Sequence, residues 1–323
     1  MRSLSILFLS VLLISACNEN NTPDESTVGF TKITSGVTTE LLDIAFSSST
    51  NGIIVGEGGV ILRTTDGGAS WTKLTSGTTN NLRVVKMTDA TSGVACGQNG
   101  TMLKTTDGGA TWSALTSPDT EGAIMDVVII DQNTMVVANS RGKIYKTTNG
   151  GTSWDLVQSD ANDFFTGLHF VGDSKSKLFA IGGGGSATTS TTALYSSTDN
   201  GSTWKKESVE FGQTITSMDF ATETLGFFSS YENIVYKTSD AGMTWTRITT
   251  PVNTTWREVK FLSATEGYLS GEKGKVIQTK DGGATWTEIK TTETGGLYSM
   301  EFLGSKNTLY VVGEKGVILA LKK

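Results

Sequence analysis

The chain has 323 residues, with 38 Gly, 3 Pro, 13 Phe, 7 Trp and 7 Tyr and only 18% charged residues, which is too apolar for a disordered chain and too glycine-rich for a helical bundle. Its 26 Lys+Arg against 32 Asp+Glu give a net charge of −6, which leaves no broad basic surface for nucleic acid. One histidine (His169) and two cysteines exclude a disulfide framework and a Cys/His zinc site, so no metal or other cofactor is expected.

Residues 1–16 carry one positive charge at Arg2, an apolar run from Leu4 to Ile14 and then small residues, the order of a secretory signal peptide. The run is too short to span a bilayer comfortably as a mature helix. Ile14-Ser15-Ala16-Cys17 resembles a bacterial lipobox, in which Cys17 becomes the acylated N-terminus, and residues 17–29 read as a polar tether. No Asp follows Cys17, which by resemblance to the enterobacterial sorting rule favours the outer membrane. The expectation is a lipoprotein of the bacterial cell envelope, attached to the membrane through its N-terminal lipid only. Cys96, in the apolar run GVACG, reads as a buried unpaired thiol.

From residue 30 the sequence repeats. The copies are TTDGGASW ending at Trp71, TTDGGATW at Trp112, TTNGGTSW at Trp154, STDNGSTW at Trp204, TSDAGMTW at Trp245 and TKDGGATW at Trp286. The tryptophans are spaced 41, 42, 50, 41 and 41 apart, and 41 residues before Trp71 lies Phe30, where FTKITSG mirrors WTKLTSG. Residues 30–323 therefore divide into seven units of about 42, the spacing of a propeller blade. In each unit the pattern predicts an inner strand such as Leu82–Met87, then Gly93–Gly97, then Thr101–Thr105, and an outer strand such as Thr72–Thr75. The last unit supplies only Leu297–Leu303, Leu309–Gly313 and Val317–Leu321, so Phe30–Thr34 is expected to complete it. The predicted fold is an all-β, seven-bladed propeller of four-stranded antiparallel blades, monomeric, with its ring closed by the N-terminal strand.

The repeated motif resembles the Asp-box of sialidase-type propellers. Asp66, Asp107, Asn149, Asp199, Asp240 and Asp281 are expected to accept hydrogen bonds from backbone groups of their own turns, beside glycines that permit positive φ. Near-copies spread around a periphery do not make one asymmetric catalytic site, so these residues are read as structural.

Function is expected on the opposite face, over the channel. Aligning the inner strands on their Phe/Met ends places Leu42, Arg83, Met125, Thr166, Thr216, Arg257 and Tyr298 at one equivalent position. Loops between second and third strands add Arg141, Glu57, Gln98, Glu272 and Glu314, with Lys273 and Lys315 beside the last two. Variable residues on a repeated frame are where specificity gathers. Arg83, Arg141 and Arg257 could grip a carboxylate or an acidic peptide, or each could pair locally with a loop glutamate. Trp256 and Tyr298 could stack on a ligand, and Trp256 could equally pack between blades. The fourth unit is longer by about eight residues, and Gly182–Ala193 reads as a floppy insertion or a lid. His169 reads as structural.

The leader, the seven units and the GxxGxIxxTTDGGxTW run resemble the photosystem II stability/assembly factor-like family of seven-bladed propellers. That resemblance implies binding of a protein partner during assembly, without established catalysis. Its photosynthetic members carry an arginine patch of which Arg83 and Arg257 could be remnants. The Phe/Tyr-Arg-Ile-Pro signature of sialidases is absent, and a single propeller lacks the paired architecture of xyloglucan-type glycosidases. The expectation is a non-catalytic binding scaffold, with an envelope protein as partner; glycan binding, or a sialidase-like hydrolase, is the alternative.

Overall fold

Short runs of β-branched and aromatic residues punctuated by Gly, Asn and Asp leave the chain little choice but short antiparallel strands joined by tight turns. The computed structural model describes residues 29–186, 189–209, 211–231, 233–304 and 308–322, so Cys17 and most of the 17–29 tether lie outside it. Among the described residues the strands form seven four-stranded antiparallel sheets, the blades of a propeller. In chain order these span residues 41–74, 82–114, 124–159, 163–206, 215–248 and 256–289, with the seventh built from 297–322 and 31–33. The second strand of each blade is buried on both faces, which is why runs such as GIIVG and GVACG are continuously apolar. Cys96 sits in one of them, fully buried, where desolvation pushes its thiol far above the ordinary range.

Seven apolar clusters fill the seven clefts between neighbouring blades. Each Asp-box tryptophan joins the cluster between its own blade and the preceding one: Trp71 with Tyr310, Trp112 with Ile53, Trp154 with Val94, Trp204 with Val136, Trp245 with Phe179 and Trp286 with Phe227. The cleft between blades 6 and 7 has no Asp-box tryptophan, and Phe30 packs there instead.

The Asp-box turns hold themselves. In the first, the Asp66 carboxylate accepts the Ser70 amide (2.9 Å), the Ser70 hydroxyl (2.5 Å) and the Thr64 hydroxyl (2.7 Å), while Gly68 donates its amide to Thr64 Oγ1 at 2.9 Å. Asp107, Asn149, Asp199, Asp240 and Asp281 repeat the pattern. These bonds, the neighbouring hydroxyl first, hold the five aspartates at about 2. Gly68 adopts φ +84°, and a Cβ there would lie 2.5 Å from Tyr310 Cζ, so both backbone and packing require glycine.

The ring closes where Thr31–Ile33 pairs antiparallel with Ile318–Lys322, in the register Thr31↔Ala320 to Ile33↔Ile318. The insertion expected at Gly182–Ala193 lengthens two strands of blade 4. Leu178–Ser186 and Thr189–Ser197 form an extended hairpin, paired in register from Leu178↔Ser197 out to Ser186↔Thr189. A run of Gly, Ser and Thr has no large side chains to pack, but the ladder of main-chain bonds does not need them.

A variant beginning at Ser35 loses the closing strand and Phe30, so it is expected to melt well below the parent and to self-associate through the bare edge of Ile318–Lys322. A variant beginning at Gly29 keeps both and should match the parent in thermal denaturation and light scattering.

Candidate functional site

Every inner strand carries one β-bulge in the same place. The register with the second strand slips between Leu41 and Asp43, Leu82 and Val84, Ile124 and Asp126, Phe165 and Gly167, Ile215 and Ser217, Trp256 and Glu258, and Leu297 and Ser299. The extra residues are Leu42, Arg83, Met125, Thr166, Thr216, Arg257 and Tyr298, and all seven line the upper mouth of the channel. A bulge re-aims one side chain without breaking the ladder on either side, and here it does so once per blade. Glycine ends the second strand where it must pass close by: a Cβ on Gly56 would lie 2.2 Å from Glu40 O. The following residue then donates its amide to the chain just before the inner strand, Glu57 to Glu40 O and Glu272 to Thr255 O, both at 3.0 Å. These turns set Glu57, Glu272 and Glu314 beside the mouth.

Below the mouth, residues just after the bulges bond across from blade to blade. Asp43 accepts the Val85 amide (2.8 Å), Asp126 that of Leu168 (2.9 Å), Asp219 that of Phe261 (2.6 Å) and Glu258 that of Met300. Thr166 donates to Ile215 O at 2.7 Å, and Ser299 donates to Asp43 at 2.7 Å, joining blade 7 to blade 1. Two lysines stand among these carboxylates. Lys260 pairs with Glu301 at 2.9 Å, and Lys86 lies 3.9 Å from both Asp43 and Asp126. Burial and the charges of Lys86 and Lys260 push His169 down to about 3, so its imidazole is neutral. Composition gave no sign of this network, although its members recur at fixed offsets from the bulges.

At the mouth, Arg257 donates Nε to Glu272 Oε1 at 2.7 Å, with its other nitrogen 2.6 Å from the same oxygen, and lies 5.9 Å from the ring centres of both Tyr231 and Tyr298. Tyr298 donates to Glu314 at 3.3 Å. Glu40, which the sequence reading did not single out, joins them; burial first, then Glu57 and Glu314, raises its carboxyl. Arg83 is exposed and makes no hydrogen bond or ion pair with a described residue. Arg141 is outside the lining of the mouth and pairs with the exposed Glu121 at 3.1 Å, so the three arginines do not converge. Trp256 is not available to a ligand. It is fully buried, with its indole N–H on Asn233 at 3.0 Å, because the residue before a bulge points into the cleft between blades. Among the described residues no group of three His, Cys, Asp or Glu is arranged to hold a metal, and no helix is long and apolar enough to cross a membrane.

A family model for photosynthesis system II assembly factor YCF48 matches residues 22–322. The chain belongs to that family. Among solved structures it is similar to YCF48 bound to D1 peptide, at 20% identity and TM-score 0.76, over 91% of this chain and 95% of that one. It is similar to YCF48 from Cyanidioschyzon merolae at 22% identity and TM-score 0.73, over 91% and 98%. An ancestral GH74 enzyme matches at 12% identity and TM-score 0.71, over 90% of this chain but 46% of the enzyme. A search of curated proteins gave no significant match. At these identities the solved structures show the fold, and this YCF48-family chain must be read from its own mouth.

The channel network makes stability depend on pH. Burial, partly offset by Lys260, pushes Glu258 up from 4.5 to about 8. Between those values the folded chain holds a proton that the unfolded chain has lost, so this group lowers stability as pH rises through the window, with the loss complete above it. Glu258→Gln keeps an acceptor for Met300 and removes the titration. Its melting temperature is expected to exceed the parent's at pH 8 and to converge on it toward pH 4.5, read by thermal denaturation across that range.

Proposed function

We propose that this propeller works by binding a segment of a protein partner over the upper mouth, as a non-catalytic scaffold tethered at a bacterial cell envelope. The observation that carries this reading is the bulge ring. Seven blades built to one plan each turn one side chain into the same opening, and those side chains are Leu, Arg, Met, Thr, Thr, Arg and Tyr. A frame that repeats while its rim varies is suited to recognising an irregular partner. Family membership supports the same class of activity, and the solved YCF48 that holds a D1 peptide shows that a propeller of this fold takes up a peptide. The arginine contribution here is narrower than a three-arginine grip: Arg83 has its guanidinium free for a carboxylate, whereas Arg257 is engaged by Glu272 and serves to position Tyr298.

Tethering follows from the lipobox at Cys17, with the outer membrane as destination and the propeller acting as a monomer. Cys17→Ser is expected to abolish incorporation of labelled palmitate and to move the protein out of the membrane fraction.

A photo-cross-linking residue placed at Arg83 is expected to capture a protein in cells, while one at Lys280, in an Asp-box turn on the opposite face, captures none. Tyr298→Ala should weaken that complex about 30-fold, equivalent to about 2 kcal/mol for an aromatic anchor. Equal capture from both positions would overturn the assignment of the face.

A further inference from the structure

The lower end of the channel opens into a separate cavity of about 720 Å³, formed by blades 2 to 6. Its wall includes a departure from the repeat. In blades 1, 2, 5 and 6 the last residue of the inner strand folds over a glycine that opens the second strand, as Phe261 does over Gly267, where a Cβ would meet the ring at 2.5 Å. Blades 3 and 4 have Met135 and Leu178 at that position, and Ile129 and Phe170 line the cavity half-buried, packed against the neighbouring clefts. The volume falls within the range of about 300–1,000 Å³ typical of small-molecule sites.

The floor of this cavity has hydrogen-bonding capacity that the fold does not use. Lys86 lines both the cavity and the upper mouth, with its side chain 43% exposed. Its 3.9 Å separations from Asp43 and Asp126 are ion pairs too long for hydrogen bonds, and its ammonium donates to no described residue. Those two carboxylates are already occupied by backbone amides: Asp43 by Ile44 and Val85, Asp126 by Val127 and Leu168. His169 makes no hydrogen bond to a described residue either, and its Nε2 is shut in against Gly167, which leaves the other edge of the ring to the cavity. Asp219 supplies an acceptor, and the Phe170 ring supplies an apolar shelf.

We propose that this cavity binds a neutral, polyhydroxylated ligand of one or two sugar rings. Hydroxyls both donate and accept, which matches a floor of one ammonium, one imidazole and one carboxylate. An anion would meet the lining carboxylates Asp89, Asp131, Asp173 and Asp219, and a cation would meet Lys86 and Lys175. A wholly apolar ligand would leave the buried polar floor without partners. The cavity opens away from the proposed partner-binding mouth and meets it at Lys86 and His169, and neither assignment depends on the other.

The single histidine makes the test direct. Protein labelled with ¹⁵N only at histidine is titrated with cellobiose, maltose, N,N′-diacetylchitobiose and trehalose, and the imidazole resonances of His169 are followed. At least one disaccharide is expected to shift them saturably, with affinity reduced tenfold or more in Lys86→Met and in Ile130→Trp. Ile130→Trp fills the cavity from its rim and leaves the polar floor intact, so it decides the matter alone if Lys86→Met fails to fold. No saturable shift with any of the four sugars, or a shift undiminished by Ile130→Trp, overturns the proposal.

Discussion

A strand that lines a channel has one edge with no neighbour, and its amide donors must find acceptors or the strand frays. In this propeller the acceptors come from the preceding blade: Asp43 reaches Val85, Asp126 reaches Leu168, Asp219 reaches Phe261 and Glu258 reaches Met300, each across 42 residues. The rest of the interior follows from that constraint. Carboxylates placed in a narrow channel need counter-charges, and Lys86 and Lys260 supply them. Two ammonium groups beside a desolvated imidazole keep His169 neutral. The bulge that turns a side chain up into the mouth comes one residue before Asp43, Asp126 and Glu258, so there the upper rim and the belt below it are set by the same local geometry.

The molecule thus divides its work by radius. Outer turns are closed by Asp-box hydrogen bonds and sealed by tryptophan in the clefts, and they vary little from blade to blade. The rim of the channel varies from blade to blade, and the lower cavity is formed by blades 2 to 6 alone. Stability resides in what repeats, and the capacity to discriminate resides in what does not.

Much of this was legible in the sequence because period and turn chemistry are local. The spacing of Trp71 to Trp286, the mirror of FTKITSG and WTKLTSG, and the alignment of Phe46, Met87 and Phe261 were enough to place seven blades, the shared last blade and the seven rim positions. What escaped depends on side-chain direction and on partners in another blade. Trp256 adjoins Arg257 in sequence, yet the bulge sends one into the cleft and the other to the mouth. Glu40 meets Glu57 and Glu314 only once the first and last blades are side by side. The roles of Asp43 and Asp126 leave no local mark, because the edge amide each accepts lies 42 residues away. Glycine and threonine serve a loop and a β ladder equally well, so the pairing of Leu178–Ser186 with Thr189–Ser197 left no mark in the sequence.

The shared blade also bears on when the molecule can fold. Of the described strands, Thr31–Ile33, the outermost of the last sheet, leaves the ribosome first, and its neighbour Ile318–Lys322 leaves it last. Six blades can pair locally during synthesis, each from contacts close in sequence, but the ring can close only after Ile318–Lys322 has emerged. For that whole interval the first strand has no neighbour in the chain and the cleft that Phe30 seals stays open. Topology thus places ring closure last among the pairings of the fold, and a nascent chain must be kept from pairing with another until Thr31–Ile33 meets Ile318–Lys322.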